Sequence, residues 1–265
     1  MNNFIKNIAN QYNLSNLSPL DNHILSGFQN NFPIILKLSA DIDGLKQEVV
    51  ALNAFAGFGT VEVLAEKEGQ ILLTRAVPGT SLKTYFPSQD NEAIQITCEI
   101  IKRLHQAPLP PENTFPHIRD WLKILDQEWD IPIQDLKKSR ELRDQLLATS
   151  AEPVLLHGDL HHDNILQNGK DWVVIDPKGV IGEQAYEVAA FIRNPIPELL
   201  DSENAANIIK NRITAFSKIL GFDAKRIQDW CFVQAVLAWA WALEDGIGSS
   251  YFKYFTEIIQ LIKSK

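Results

Sequence analysis

One stretch of the 265-residue chain, Val154 to Asp176, sets polar side chains between two short apolar runs. The runs, at 154–156 and 172–175, predict buried strands, and the second is rich in β-branched and aromatic residues. A third short strand is predicted at 164–167. The Asn-Gly dipeptide at 168–169 favours a two-residue type I′ turn, so the stretch is predicted to close in a β-hairpin.

The predicted hairpin brings three oxygen-bearing side chains together. A turn at the Asn-Gly dipeptide pairs Gln167 with Lys170 and places Asn164 and Asp176 near one open end, while Asp159 enters from the preceding loop. Carboxylate and amide oxygens suit a hard cation such as Mg²⁺, which takes one or two protein oxygens and leaves its other positions to water and phosphate. A second carboxylate nearby could accept the proton of a hydroxyl group.

The spacing of these residues adds a second argument. From His157 the chain reads H-x-D-x-x-x-x-N, the spacing of a kinase catalytic loop, and an Asp borne on a strand follows. This spacing assigns Asp159 as the base and assigns Asn164 and Asp176 as ligands of Mg²⁺. The alternative is that these residues form turns or cap helices, which are common roles of Asp and Asn in loops.

A transition-metal hydrolase site is another interpretation, because imidazoles suit Zn²⁺. Its ligands would come from His157, Asp159, His161, His162 and Asp163. The side chains at 161 and 162 are adjacent and should point apart, which disfavours this set.

Several segments resemble a known family. HGDLHHDNIL and IDPKGVIGEQAYEVAAFIRNP are similar to the aminoglycoside phosphotransferases, and within them to the branch of streptomycin 6-kinases and hydroxyurea kinases. LNAFAGFGTVEVL, ILLTRAVPGTSL and AVLAWAWALEDG are similar to segments of that branch in the same order. The resemblance spans roughly Lys37 to Gly246.

The resemblance implies an α+β, bilobal, protein-kinase-like fold with a small N-terminal antiparallel-sheet lobe, one main helix in that lobe, and a larger, mostly helical C-terminal lobe. It implies ATP and Mg²⁺ as cofactors and transfer of the γ-phosphoryl group to a hydroxyl of a small molecule. Streptomycin is the acceptor it favours, with hydroxyurea or an unrelated small metabolite as alternatives. A nucleotide-binding module without catalysis is a further alternative, because the predicted phosphate-covering hairpin has only one glycine, Gly27.

Lys37 lies in an otherwise apolar strand, where a lone ammonium is costly to bury. A partner is expected, and Glu48, on the following helix, is the natural candidate. Asp43 is predicted to cap that helix. By resemblance Lys37 contacts the nucleotide phosphates and Glu48 orients it. The alternative is a surface lysine that snorkels from an edge strand, and a P-loop is excluded because no G-x-x-x-x-G-K-[ST] occurs.

A change of direction is predicted after a hairpin formed by residues 61–63 and 71–74. Pro78 and Gly79 follow the second strand at once, as expected for a hinge between lobes. The main chain of Arg75 and Val77 is expected to contact the purine. The predicted division is 1–75 for the nucleotide-binding lobe, 76–79 for the hinge and 80–265 for the catalytic and substrate-binding lobe.

Three residues are candidates for contact with the acceptor. The helix predicted at 223–245 ends in Glu244 and Asp245, and carboxylates at a helix C-terminus oppose the helix dipole. Binding ammonium or guanidinium groups of a cationic acceptor would explain them, and so would pairing with a nearby Lys or Arg. Trp121 is expected either to line a cleft or to pack in the core.

Two further positions bear on the site. Gly158 stands where protein kinases usually carry Arg, and its presence suggests a kinase of small molecules that needs no phosphorylated activation loop. Glu183 and Glu187 open a predicted helix, where the helix dipole alone favours acids.

Charge and composition limit the remaining possibilities. The net charge of −8 disfavours nucleic acid as a partner and is compatible with a cationic small molecule. Both cysteines lie in apolar helical patterns and are expected to be buried and reduced. Residues 1–20 predict a short helix without a signal-peptide core, and the most apolar later run, Val233 to Leu243, is too short to span a membrane. A cytoplasmic location is expected.

Overall fold

The computed structural model describes residues 3–247 and 252–263. Its N-terminal part contains the strands β1 (Leu14–Pro19), β2 (Ile24–Gln29), β3 (Phe32–Leu38), β4 (Val63–Lys67) and β5 (Gln70–Thr74). They form one antiparallel sheet in the order β1-β2-β3-β5-β4. Helix α1 (Asn3–Tyr12) precedes the sheet, and helix α2 (Ile42–Ala54) connects β3 to β4.

Strand β3 lies in the middle of the sheet and separates two apolar layers. Ile34 and Leu36 are fully buried in a cluster with Ile8 of α1. Ile35 and Lys37 project to the opposite face, because successive residues of a strand alternate. There Ile35 packs against the apolar residues of α2. Lys37 is therefore on a central strand, which excludes a lysine that snorkels from an edge.

Helix α2 is capped by Asp41, so the predicted cap, Asp43, is wrong. The Oδ1 of Asp41 accepts the N–H of Gly44 at 2.9 Å, and Asp43 lies inside the first turn. Leu45 and Val49 bury one side of the helix against the sheet. Glu48 is consequently held beside the face of the sheet that carries Lys37.

The N-terminal helix is shorter than predicted. It ends at Tyr12, and residues 14–19 form an edge strand instead of the last turns of a helix. Asn13 has a left-handed backbone (φ 53°), which an α-helix cannot continue through. Leu14 and Leu17 then pack on the apolar layer beneath the sheet, so tertiary packing decides for the strand.

The C-terminal part is mostly helical. Its helices are α3 (Asp90–Leu104), α4 (Ile118–Trp121), α5 (Ile133–Ala148), α6 (Val188–Ile192), α7 (Ala205–Leu220), α8 (Ala224–Glu244) and α9 (Phe252–Lys263). Helix α8 runs through the centre, buried on nearly all sides among α5, α6, α7 and α9. Within the described ranges, no helix combines the length and the apolar character that crossing a membrane requires.

Two small antiparallel sheets carry the loop that the sequence singled out. Strands β6 (Pro78–Ser81), β8 (Ile165–Asn168) and β9 (Asp171–Val174) form one, and β7 (Val154–Leu156) pairs with β10 (Val180–Gly182) in the other.

The β8–β9 hairpin is confirmed, but its turn lies one residue later than predicted. Asn168 pairs with Asp171, so Gly169 and Lys170 form the turn. Asn168 stays in the strand because it also pairs with Pro78 of β6. The corrected register places Asn164 opposite Ile175, and the Ile175 N–H donates to the Asn164 carbonyl at 3.1 Å.

The two parts of the chain are connected by the segment after β5 and by contacts between the lobes. Strand β5 ends at Thr74, and β6 begins at Pro78 in the C-terminal part. The Val61 N–H also donates to the Val174 carbonyl at 3.1 Å. The predicted α+β, two-lobed architecture is confirmed, while the boundary at 76–79, which overlaps the start of β6, stays a prediction.

Candidate active site

Lys37, Glu48 and Asp176 meet in the cleft between the two lobes. The Lys37 Nζ lies 2.7 Å from the Glu48 Oε2 and also donates to the Asp176 Oδ1. The three side chains come from β3, from α2 and from the end of the β8–β9 hairpin. The sheet, its helix and the C-terminal lobe are therefore tied together by one ammonium group.

Burial and charge set the ionisation of this cluster. Burial disfavours the ammonium of Lys37, but the carboxylates of Asp176 and Glu48 outweigh it and hold the Lys37 pKa above its ordinary value. Burial raises the pKa of Glu48 to about 7 against the attraction of Lys37. Burial also disfavours the charge on Asp176, but Lys37 holds the pKa of that carboxyl below its ordinary value. Lys37 therefore faces two carboxylates, of which Asp176 holds its charge more firmly than Glu48.

Asp176 owes its orientation to an uncommon backbone conformation. Its φ of 57° lies in the left-handed region, which costs a residue with a Cβ roughly 1–2 kcal/mol. Hydrogen bonds fix the chain on both sides: Ile175 N–H donates to Asn164, and Lys178 N–H donates to the His157 carbonyl at 2.8 Å. In this conformation the carboxylate faces Lys37.

Asp159 and Asn164 belong to one loop that is closed by its own hydrogen bonds. The Nδ2 of Asn164, which is buried, donates to the main-chain oxygen of Asp159 at 2.9 Å. The Asp159 N–H donates to the Nδ1 of His157 at 3.2 Å, and the other ring nitrogen of His157 lies 2.9 Å from the Ile175 carbonyl. The Asp159 side chain is 34% exposed and lines the cleft, so it can reach a bound hydroxyl group.

A buried carboxylate that the sequence analysis explained by the helix dipole alone holds this loop in place. Glu187 is 2% exposed, and its two oxygens accept the N–H groups of His157 (2.7 Å) and Gly158 (3.0 Å). Burial disfavours its charge, but His105, whose Nε2 lies 3.6 Å from the Glu187 Oε2, and the loop outweigh that cost and hold the Glu187 pKa below its ordinary value. The available signal was an acid inside the apolar run AYEVAAFI.

Gly158 lets the wall of the cleft approach the loop. Its φ is 85°, and a Cβ there would lie 2.8 Å from the Cη2 of Trp121 and 3.1 Å from the Cγ1 of Val180. Trp121 in turn packs edge to face on Trp241, with ring centroids 5.6 Å apart. Aromatic side chains therefore pack directly against the position where protein kinases carry Arg.

The cleft has a volume of about 780 Å³ and two chemically different ends. Lys37, Glu48 and Asp176 line one end. Trp121, Asp159, Tyr186, Arg193, Gln234 and Trp241 line the other. Charged groups suited to phosphates and metal therefore adjoin an aromatic chamber that also contains the carboxylate of Asp159.

The hinge residues lie at the junction of the lobes, outside the lining of this cleft. The Arg75 N–H donates to the Pro33 carbonyl at 3.2 Å. The Val77 N–H donates to the Oδ1 of Asn168 at 3.2 Å, and the Val77 carbonyl accepts from Gly169 at 2.6 Å. Both main-chain groups of Val77 are thus engaged within the protein, and the purine contacts of Arg75 and Val77 stay predictions.

The three residues predicted to contact the acceptor lie in different parts of the structure. Trp121 lines the cleft, as one of its two interpretations predicted. Glu244 and Asp245 are exposed at the end of α8 and are not part of that lining. Their role in acceptor binding stays a prediction.

The donor set at the hairpin fits Mg²⁺. Because the Nδ2 of Asn164 donates to Asp159, its Oδ1 is the atom left for a cation. Asp176 lines the cleft and Asn164 is not part of that lining, so their joint role as metal ligands stays a prediction. Two hard oxygen ligands leave room for phosphate oxygens and water, which is the usual arrangement for this ion.

The zinc interpretation does not fit. The His162 ring is buried and stacked on Phe191, and the His157 ring is engaged with main-chain groups. Among residues 3–247 and 252–263, no three His, Cys, Asp or Glu side chains are grouped as metal ligands. Cys98 and Cys231 are buried thiols, and burial raises the pKa of each to about 12.

The fold and the site together define a phosphotransferase of the protein-kinase-like class. A family model described as aminoglycoside/hydroxyurea antibiotic resistance kinase matches residues 24–246. The chain belongs to this family, and it is a kinase of a hydroxylated small molecule. This confirms the family, the fold and the type of enzyme predicted from the sequence.

Individual relatives agree with this assignment. The chain is 32% identical over 231 residues to the streptomycin 3''-kinase of Klebsiella pneumoniae, covering 84% of this chain and 85% of that protein. It is 23% identical to the streptomycin 6-kinase of Streptomyces griseus, covering 80% and 71%. Among solved structures, an aminoglycoside phosphotransferase in ternary complex with ADP and hygromycin B superposes with a TM-score of 0.73 at 16% identity, covering 97% of each chain.

Proposed function

We propose that the chain transfers the γ-phosphoryl group of ATP to a hydroxyl group of streptomycin in an Mg²⁺-dependent reaction. The observation that carries this proposal is the cleft itself, where the cluster of Lys37, Glu48 and Asp176 and the carboxylate of Asp159 face a common space of about 780 Å³. Streptomycin is chosen because two relatives are named as streptomycin kinases.

The nucleotide phosphates bind at the charged end. Lys37 contacts them and Glu48 holds the lysine in place, as their 2.7 Å contact supports. Asn164 and Asp176 hold Mg²⁺, which neutralises charge on the phosphates when it is bound. The purine lies at the hinge, 76–79, beside Arg75 and Val77, between a nucleotide-binding lobe (1–75) and a catalytic lobe (80–265).

Asp159 orients the acceptor hydroxyl and takes its proton. The carboxylate sits on a loop that His157, Asn164 and Glu187 fix from three sides, so little reorganisation is needed when the acceptor arrives. Positioning of hydroxyl and phosphoryl group supplies most of the acceleration in this kind of reaction.

The acceptor binds at the aromatic end. The faces of Trp121 and Trp241 suit the guanidinium groups of a cationic acceptor. The exposed carboxylates of Glu244 and Asp245 attract such a molecule from solution without lining the cleft. We also propose that the enzyme works in the cytoplasm, where MgATP is available and buried thiols stay reduced.

A coupled ADP-release assay with MgATP tests the proposal across streptomycin, other aminoglycosides, spectinomycin and hydroxyurea. We expect turnover on streptomycin and a fall in kcat of about 10²–10⁴-fold in Asp159→Asn, the usual contribution of a general base. Asp163→Asn is the matched control, because this acid is in the same loop but outside the lining of the cleft.

Two outcomes would redirect the assignment. Turnover on hydroxyurea alone keeps the mechanism and changes the acceptor. Full activity in Asp159→Asn removes the catalytic role from this residue.

A further inference from the structure

Arg193 is a charged residue of the cleft that the proposed phosphoryl transfer does not use. It follows α6 directly, its N–H donates to the Ala189 carbonyl at 3.3 Å, and its side chain is half-buried. It lines the aromatic end of the cleft together with Gln234 and Trp241 of α8. A guanidinium therefore stands where the acceptor is expected to bind.

The position of this guanidinium is fixed by a buried amide. The Arg193 Nη1 donates to the Oε1 of Gln234 at 3.1 Å. Gln234 is 5% exposed, and its Nε2 donates to the Tyr186 carbonyl at 2.6 Å, so the amide cannot turn its oxygen away from Arg193. The arginine is thus held in one orientation before any ligand arrives.

Arg193 makes no ion pair within the described part of the chain. No carboxylate oxygen of residues 3–247 or 252–263 lies within 4.0 Å of its guanidinium. The other guanidiniums held between C-terminal helices differ, because Arg212 is paired with Asp90 and Arg226 with Glu183. A guanidinium has five N–H donors, and Gln234 accepts from one.

The remaining N–H donors of Arg193 are therefore available to a ligand in the cleft, and hydrogen bonds from a charged donor are strong. From this geometry we infer that Arg193 is a specificity-determining residue that binds an uncharged or anionic oxygen group of the acceptor, a carbonyl or a carboxylate. The inference rests on the proposed function, because it places the acceptor at this end of the cleft. Ammonium or guanidinium groups of the acceptor must then point away from Arg193, towards the faces of Trp121 and Trp241.

Three hydroxylated sugars that differ at one carbon test this inference without turnover. Glucuronate, glucose and 6-amino-6-deoxyglucose carry a carboxylate, a hydroxyl and an ammonium at the same position. Their affinities for the full-length enzyme with MgADP are measured by saturation-transfer NMR. We expect glucuronate to bind about tenfold more tightly than the amino sugar, the order of magnitude of one charge-assisted hydrogen bond.

Substitutions of Arg193 test whether this residue causes the preference for glucuronate over the amino sugar. In Arg193→Gln the ratio of the two affinities should fall to about twofold or less, whereas Arg193→Lys, which keeps the cation, should retain the order. Arg119→Gln is the matched control, since this exposed arginine is near in sequence to Trp121 but does not line the cleft. With an acceptor that the enzyme phosphorylates, Arg193→Gln should raise the KM for that acceptor more than it lowers kcat.

The inference is overturned if the wild type binds none of the three sugars or prefers the amino sugar, or if Arg193→Gln keeps the wild-type ratio. It is also overturned if the variant loses kcat at unchanged KM, because the arginine would then act on the transferred phosphoryl group. The sugar titration and the Asp159-dependent turnover are independent measurements, so failure of one is distinguishable from failure of the other.

Discussion

Two residues hold the catalytic loop through contacts that cannot be recognised from the spacing of its motif. Gly158 is required for two reasons at once, a left-handed backbone and the approach of Trp121. Glu187 is required because its two oxygens accept consecutive N–H groups of the loop.

The two reasons for Gly158 can be separated by a matched pair of variants. Gly57 has φ 83°, close to the 85° of Gly158, but a Cβ there would meet nothing within 4 Å. Gly57→Ala should cost about 1–2 kcal/mol of unfolding free energy from the backbone alone. Gly158→Ala should cost a further 1–3 kcal/mol, roughly, through the clash with Trp121. Urea unfolding measures both, and equal losses would show that Trp121 yields freely.

Replacing the buried carboxylate of Glu187 should disturb the loop more than the nucleotide site. In Glu187→Gln one of the two N–H groups of the loop faces an amide nitrogen instead of an oxygen. We expect kcat to fall by up to about 100-fold, as for a small misplacement of reacting groups, with the affinity for MgADP nearly unchanged. Steady-state kinetics and calorimetric titration measure the two quantities, and unchanged kcat would contradict the positioning role.

The same variant gives a pH dependence of stability with a defined sign. The Glu187 pKa is lower in the folded protein than its ordinary value of 4.5, so the ionised carboxylate stabilises the fold above that value. This contribution is lost as pH falls below 4.5 through the folded pKa. The difference in unfolding free energy between wild type and Glu187→Gln should therefore be constant near neutrality and shrink below pH 4.5. If the difference in unfolding free energy grows below pH 4.5, the Glu187 pKa is not lowered in the folded protein.

At the scale of elements, buried ion pairs connect helices that lie far apart in the chain. The fully buried Arg212 of α7 pairs with Asp90 at the start of α3 and donates to the carbonyls of Phe191 and Ile192 (3.2 and 3.1 Å) at the end of α6. Three helices thus meet at one guanidinium, and the segment that leads to Arg193 is fixed by it.

Removing the carboxylate of Asp90 should leave that guanidinium buried without its counter-ion. We expect Asp90→Ala to cost about 3–5 kcal/mol of unfolding free energy. Glu99→Ala, in the same helix, removes an exposed partner of Lys102 and should cost about 0.5 kcal/mol or less. Urea unfolding of both variants measures the contrast, and similar costs would mean that water reaches Arg212.

At the scale of the whole molecule, the cluster of Lys37, Glu48 and Asp176 connects the two lobes across the cleft. A nucleotide that binds there stabilises the folded chain by mass action, by about 2.7 kcal/mol when ligand is present at 100 times its Kd. This stabilisation should depend on both the lysine and the metal.

Thermal unfolding with and without MgADP tests this dependence. In Lys37→Met the increase in Tm caused by MgADP should be smaller, because a tenfold loss of affinity removes about 1.4 kcal/mol of the stabilisation. Lys67→Met, an exposed lysine of β4 bonded to Gln11, is the matched control and should keep the full increase. Chelation of Mg²⁺ by EDTA should lower the increase in wild type, and an unchanged value would remove the metal from nucleotide binding.

The amino-acid sequence was sufficient for the loop from His157 to Asn164, because that motif depends on local spacing. The family and the two-lobed fold followed from the resemblance of several segments to a known family. The sequence also indicated Lys37 and Glu48, since a cation in an apolar strand demands a partner. Prediction from the sequence was less reliable where local signals compete with packing. Residues 14–19 form a strand and the hairpin turn lies at 169–170, because contacts with neighbouring elements determine the pairing.

The contacts between side chains that are distant in the chain could not be predicted before the fold was known. Lys37 and Asp176 are 139 residues apart, and Arg212 and Asp90 are 122 apart. Glu187 was assigned from its helix position alone. Arg193 could not be distinguished from a surface arginine, because nothing local in the chain shows that its guanidinium meets Gln234 in a cleft. Side chains become buried and paired only when the sheet and the helices pack together around the cleft.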